Sequence, residues 1–308
     1  MDDKMEASAS SKSLIRGKIS WPESLSLKQS FSLPESVMYY MAMNPSTPEV
    51  YNKLIQCCKY FFEKNPILVA ARMRDDTTIC SDKYCSKFFR DDDKKCCVNL
   101  DITKTSSKLW LTHELHLHGN DDASTFIPLL THKLFRYEIQ NLTVNKKIIT
   151  IDVFKFLASS PKSIRVYASK IIDSAGNTVM LETLLENMYN VKYFTYAFLN
   201  ESSMINASTL STITKQKNFG QLLSFKMFFI PEVFSVEDLS AFLNAHKTLE
   251  ILFDFDRNIS EDYANQLDGL VDAVIESERN NLIIWYRGQD RNKRKIMEKI
   301  VVCVDKNE

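Results

Sequence analysis

The chain has 308 residues and 44% apolar content, enough for one large or two small domains with a real core, which excludes disorder throughout. Lys plus Arg and Asp plus Glu both number 39, so no net field draws the protein to nucleic acid or anionic lipid. Six glycines and eight prolines disfavour glycine-lined phosphate loops and a turn-rich β-sandwich, leaving regular helices and strands as the expectation.

Residues 1–29 are rich in Ser, Lys and Glu without a sustained period and read as a flexible tail. No charged-then-apolar leader is read in "MDDKMEASASSKS", and the seven cysteines are an odd number, so the thiols are expected to be reduced, in cytoplasm or nucleus rather than a secreted setting. On that expectation the Asn-x-Ser/Thr sequons at Asn141, Asn200, Asn206 and Asn258 are chance matches. No apolar run approaches the roughly 20 residues of a membrane span, so no membrane association is expected.

A small helical unit is expected over residues 30–70. Ser32 is a candidate N-cap for a helix through Pro34 to about Met43, and "NPSTPEV" breaks it. Thr47 caps a second helix with Pro48 at its first position. In that helix Val50, Leu54, Cys57, Cys58, Phe61 and Phe62 recur at spacings of three and four as one apolar face, ended by Asn65 and Pro66. Residues 71–105, charged and cysteine-rich, read as an irregular connector with β-like pieces such as "CCVNLDI"; Asp91 to Asp93 read as a solvated loop offset by Lys94 and Lys95.

From about residue 106 to 308 the chain repeats itself. Segments starting at Thr150, Thr178, Thr209 and Ser235 each offer a hydroxyl cap, an amphipathic helix, a polar break and an apolar strand entered at Ile164, Val191, Leu222 or Leu223, and Leu249. "KLWLTHELHLHG" adds an earlier strand, and the stretch from Tyr263 to Tyr286 a later helix and strand. A lone helix–strand unit cannot bury its apolar faces, whereas stacked units share a core between a parallel sheet and a row of helices. The expected fold class is therefore α/β: a short helical unit followed by an αβ, leucine-rich-repeat-like solenoid. A single αβ domain with weak internal symmetry is the alternative. In the strand of the Ser235 unit, Leu249, Ile251 and Phe253 face the core, and Glu250, Leu252 and Asp254 face the open side.

Chemistry is hard to place on these residues. Zinc needs four converging donors, usually as two close pairs; Cys80 to Cys85 is C-x4-C, and neighbouring Cys96 and Cys97 are expected to point apart, so no metal is assigned. His116 and His118 share a strand face, but as surface residues. No nucleophile elbow, phosphate loop, H-E-x-x-H or kinase set occurs, and Cys58 on an apolar helical face reads as a packing thiol. Glu261 and Asp262 read as first-turn carboxylates favoured by the helix dipole, not as a catalytic pair. "YRGQDRNKRKIMEK" reads as an amphipathic helix with a solvated basic face rather than a nucleic-acid patch. No catalytic residue and no cofactor is assigned.

The helical unit resembles an F-box. Leu33, Pro34 and Glu35, then Val37, Met38 and Met41, then Pro45, then Leu54, Cys58, Lys59 and Phe61 follow the order of that family's pattern, with Cys57 in place of the usual valine and Gln56 near an apolar site. With the later "IPEVFSVEDLSAFL", the chain from residue 30 is similar to a divergent nematode family of F-box-like proteins whose C-terminal half is a leucine-rich-like, FTH-type domain. The resemblance implies a non-enzymatic substrate receptor of an SCF-type cullin-RING ubiquitin ligase. Its helices would dock a Skp-type linker protein and so the cullin complex through Leu33, Pro34, Val37, Met38, Tyr51, Leu54 and Cys58, and its repeats would bind a protein substrate. The alternatives are an interaction protein of the same fold without ligase linkage and, more remotely, a thiol or zinc enzyme.

Overall fold

The computed structural model describes residues 30–75, 77–85, 96–119, 123–199, 202–217 and 219–302, so the expected tail at 1–29 and the run Asp91 to Lys95 lie outside the described residues. Three helices come first: α1 (Glu35–Met43), α2 (Pro48–Cys57) and α3 (Lys59–Lys64). Pro34 rather than Ser32 is the N-cap of α1. Thr47 caps α2 as expected, its Oγ1 accepting from Val50 N at 3.2 Å, with Pro48 at the first position, where a missing N–H costs nothing. The expected single second helix is in fact two. Cys58 adopts an extended backbone and its sulfur accepts from Tyr60 N at 3.4 Å, so it closes one helix and opens the next.

The sheet begins earlier than the expected connector allows. Strand β1 (Ile67–Arg74) crosses the supposed boundary at residue 70, and β2 (Thr78–Cys80) and β3 (Cys97–Asn99) add to it as an antiparallel edge. The apolar run "ILVA" reads equally as a helix end and as a strand, and what decides it is a parallel partner some forty residues on, β4 (Lys108–His118), out of reach of local pattern. β4 is shared: Leu109 to Leu111 pair with β5 (Leu134–Tyr137), which follows α4 (Ala123–Lys133), and Glu114 to His118 pair with β6 (Asn141–Asn145).

Beyond this point each strand lies beside the one before it, parallel. The order runs β6, β8 (Ser163–Tyr167), β10 (Tyr193–Ala197), β11 (Ser224–Ile230), β12 (Glu250–Phe255) and β13 (Leu282–Trp285), while β7 (Ile148–Thr150) and β9 (Lys170–Ile172) pair separately. Between the strands come α5 (Ile151–Leu157), α6 (Leu181–Glu186), α7 (Thr209–Thr214), α8 (Val236–Ala245) and α9 (Glu261–Glu276), with α10 (Arg291–Val302) last. The protein is thus a mixed α/β structure built on one large, mostly parallel sheet. No helix among the described residues is long and apolar enough to cross a membrane.

The register explains why the units cohere. Leu115, Leu142, Ile164, Phe194, Phe225, Ile251 and Leu282 stand side by side across seven strands, and Leu117, Val144, Val166, Tyr196, Met227, Phe253 and Ile284 form the next row. All are buried in the main core. Each unit alone would expose this surface, and each neighbour covers it. Of the four caps expected in the repeating segments only Ser235 makes the bond, its Oγ accepting from Asp238 N at 3.0 Å; Thr150 precedes α5 without a side-chain cap bond, and Met180 and Ser208 rather than Thr178 and Thr209 stand at the starts of α6 and α7. Ser260 Oγ accepts from Tyr263 N at 3.1 Å at the start of α9, which explains Glu261 and Asp262 as first-turn residues. The expected strand entries Val191, Leu222 and Leu249 fall one or two residues ahead of the strands, because they are buried at the turn into them.

Candidate functional site

Two places gather side chains that a purely structural role leaves in excess: the helical unit and the sheet edge at β2 and β3. The first is held by buried polar and apolar contacts. Met38, Ala42 and Phe61 form its interior, with Leu54 and Cys58 packed against them. Tyr51 points the other way, into a cluster with Ile67 and Trp110, where its hydroxyl donates to Asn65 O at 2.8 Å and accepts from Ile67 N at 2.9 Å. Burial raises the Tyr51 pKa above the ordinary phenol value. Trp110 lies between Leu109 and Leu111 of the main core and so projects to the opposite side of the sheet, where the Arg136 guanidinium lies 4.6 Å from the centre of its ring. Asn65 Nδ2 donates to Ala42 O at 2.9 Å, fastening α1 to the start of β1.

This arrangement divides the seven residues expected to meet a linker. Leu33, Pro34 and Val37 are exposed, Leu33 at 49% and Val37 at 41%. Leu54 and Cys58 are half-buried against the unit's interior. Met38 and Tyr51 are buried within the chain, so the expectation that Tyr51 faces a partner is corrected: its hydroxyl and ring hold the helices to their own sheet. Tyr39 and Tyr40, at 51% and 67% exposure, extend the exposed apolar surface beside Val37 and were not singled out from the sequence. Their signal was the surplus of aromatics in a helix too short to bury them. Cys57, expected on the apolar face, is exposed.

The second place is the sheet edge. Cys80 ends β2, Cys85 closes the turn after it, Cys96 immediately precedes β3 and Cys97 opens it, with Cys80 and Cys97 paired in register. The four thiols converge, all within 4.8 Å of one another. Cys85 and Cys96 sulfurs are 3.4 Å apart, Cys85 and Cys97 3.7 Å, and Cys96 and Cys97 3.9 Å. The expectation that the doublet points apart is corrected: Cys96 stands just before the strand, and strand alternation does not bind it. Burial and neighbouring thiols push Cys97 up to about 11 and raise Cys80 as well. The Arg72 guanidinium donates through Nη1 to Cys85 O at 2.8 Å and pairs with Glu114, Nη2 to Oε2 at 2.5 Å. Sequence spacing hid this cluster, and its only signal was the possible antiparallel pairing of "TIC" with "CVN".

Elsewhere the residues weighed for chemistry are absorbed by structure. His116 and His118 do share a face, with ring centres 5.8 Å apart, and burial lowers the His116 pKa. In α10 Lys293 lies 2.7 Å from Asp268 and 2.6 Å from Asp272, and Arg294 pairs with Glu298 at 3.0 Å and stacks on Trp285, so much of the basic patch is neutralised locally. On the open side of the sheet Tyr193, Arg165, Thr195, Lys226, Leu252 and Asp254 mix polar, charged and apolar character, with Lys226 paired to Glu250 at 2.7 Å. The chain matches no family model and no curated protein sequence.

Proposed function

We propose that this protein is a non-enzymatic, substrate-recognition adaptor of an SCF-type cullin-RING ubiquitin ligase, acting in cytoplasm or nucleus. Helices α1–α3 dock the Skp-type linker, and the parallel strands form a leucine-rich-repeat-like solenoid whose open side holds a protein substrate. The observation that carries the reading is the exposed apolar group of Leu33, which stands just ahead of α1, and Val37 and Tyr40, which lie three residues apart on one side of that helix, on a unit whose other side is anchored by Met38 and Tyr51. Such a surface gains by burial against a partner, and its pinned base spares the ordering cost. The adaptor itself does no chemistry; it raises the local concentration of substrate near a ubiquitin-loaded enzyme.

One observation favours an interaction protein of the same fold without ligase linkage: Met38 and Tyr51, two of the residues expected to meet the linker, are spent inside the chain. Pull-down of a Skp-type linker with wild type and with Leu33→Ala plus Pro34→Ala separates the two. The adaptor reading requires capture by wild type and a loss of about tenfold or more in the variant. No capture by wild type, or equal capture by both, sinks it.

A further inference from the structure

We propose that Cys80, Cys85, Cys96 and Cys97 are the ligands of a single structural zinc ion that staples the β2–β3 edge to the rest of the sheet. A tetrahedral zinc–thiolate site has Zn–S bonds of about 2.3 Å, which place neighbouring sulfurs about 3.8 Å apart. The separations of 3.4, 3.7 and 3.9 Å bracket that edge, and Cys80 completes the set within 4.8 Å. An iron–sulfur cluster, whose inorganic sulfides spread the cysteines further, does not fit so small a cage.

Packing alone accounts poorly for the group. Among the described residues, the satellite core at this edge consists of these four cysteines with no aliphatic or aromatic partner, whereas apolar clusters elsewhere in the fold use Leu, Ile, Phe and Met. Strands β2 and β3 are three residues each, at the short end of the ordinary range, so their ladder bonds add little cohesion at this edge. A tetrathiolate ion supplies the missing cohesion. Residues from a strand end, a turn and a second strand start are brought to one point, and the turn is fixed from outside by Arg72 on the Cys85 carbonyl. On binding, four S–H bonds break and release four protons to solvent, four Zn–S bonds form and the hydrated ion loses its waters. The complex carries a net charge of −2, and the Arg72 guanidinium stands beside it on the Cys85 carbonyl.

The test uses the full chain and does not depend on the adaptor reading. Elemental analysis after gel filtration in chelator-free buffer is expected to give about one zinc ion per chain. Cobalt(II) added to the metal-stripped chain is expected to give the intense sulfur-to-metal charge-transfer band and strong visible bands of a tetrahedral thiolate site. Cys57→Ser keeps both signals, since Cys57 is exposed and outside the group, and Cys97→Ser loses them. If Cys97→Ser does not fold, the wild-type metal content and cobalt spectrum decide alone. Absence of metal from the folded chain overturns the proposal, as does zinc that a wash with a weak chelator removes. An intact mass lower by two hydrogens per disulfide overturns it as well.

Discussion

Arg72 of β1 and Glu114 of β4 form a buried, two-pronged pair, the guanidinium meeting one carboxylate oxygen through Nε at 2.7 Å and Nη2 at 2.5 Å, with side chains only 14% and 7% exposed. The third arm of Arg72 reaches Cys85 O. Removing the acid strands a buried cation. Glu114→Ala is therefore expected to cost about 3 kcal/mol in urea unfolding, and a conservative Glu114→Gln less. The same variant should speed amide exchange at β2 and β3 before the rest of the sheet, because the cysteine turn loses its outer anchor. Exchange unchanged at that edge would show that Arg72 does not hold it.

Tyr51 and Val37 lie on the same helical unit but do opposite work. Tyr51→Phe leaves Ile67 N and Asn65 O buried without their partner and is expected to destabilise by about 1–3 kcal/mol, with the loss read as a lower denaturation midpoint. Val37→Ala removes an exposed side chain and is expected to leave the midpoint within about 0.5 kcal/mol and, on the proposed adaptor reading, to weaken linker capture. Equal effects on stability would contradict the division between anchored and exposed sides.

Phe225 stands at the centre of the aromatic part of the core. Its ring stacks on Phe194 at 6.1 Å and meets Phe219 at 5.1 Å, Phe242 at 6.1 Å and Phe253 at 6.2 Å. Phe225→Ala opens a cavity shared by three strands and a helix, and about 3–5 kcal/mol of stability is expected to go with it. Phe225→Leu should lose less, since it refills part of the volume. Calorimetry of the two variants checks the order.

Strand alternation and a few true caps made part of this fold legible, while Ser32, Thr178 and Thr209 do not cap the helices that follow them. Thr47, Ser235 and Ser260 announce helices by local hydrogen bonding, and the alternation from Leu249 to Asp254 announces β12, because both signals are complete within a few residues. Most of what stayed hidden depends on distant pairing. β1 needs β4 to be a strand, and the thiol group needs β2 and β3 to pair in register; the break at Cys58 is local, made by its own sulfur capping α3, but a cysteine is a cap that sequence pattern does not announce. Tyr51 carried the same ambiguity. A tyrosine on a short apolar helix reads as a surface anchor until the backbone of Asn65 and Ile67 arrives beside its hydroxyl.

His246 supplies a pH dependence with a definite sign. Its ring lies between Phe242 at 4.7 Å and Phe219 at 4.8 Å, at the C-terminal end of α8. Burial is the main cause that lowers its pKa, and the cationic Arg279, which donates to His246 O at 3.1 Å, adds to it. The unfolded chain thus takes up the proton first, near pH 6.5, while the folded chain resists it. Stability is expected to be flat with respect to this group above about pH 7, to fall as pH drops through about 6.5, and to level off once the folded imidazole is also protonated. His113 and His116 are shifted the same way by burial and add to the slope. Urea midpoints between about pH 7.5 and 5 should therefore fall for wild type and fall less for His246→Gln, because that side chain cannot charge. Parallel slopes for the two proteins would place the proton uptake elsewhere.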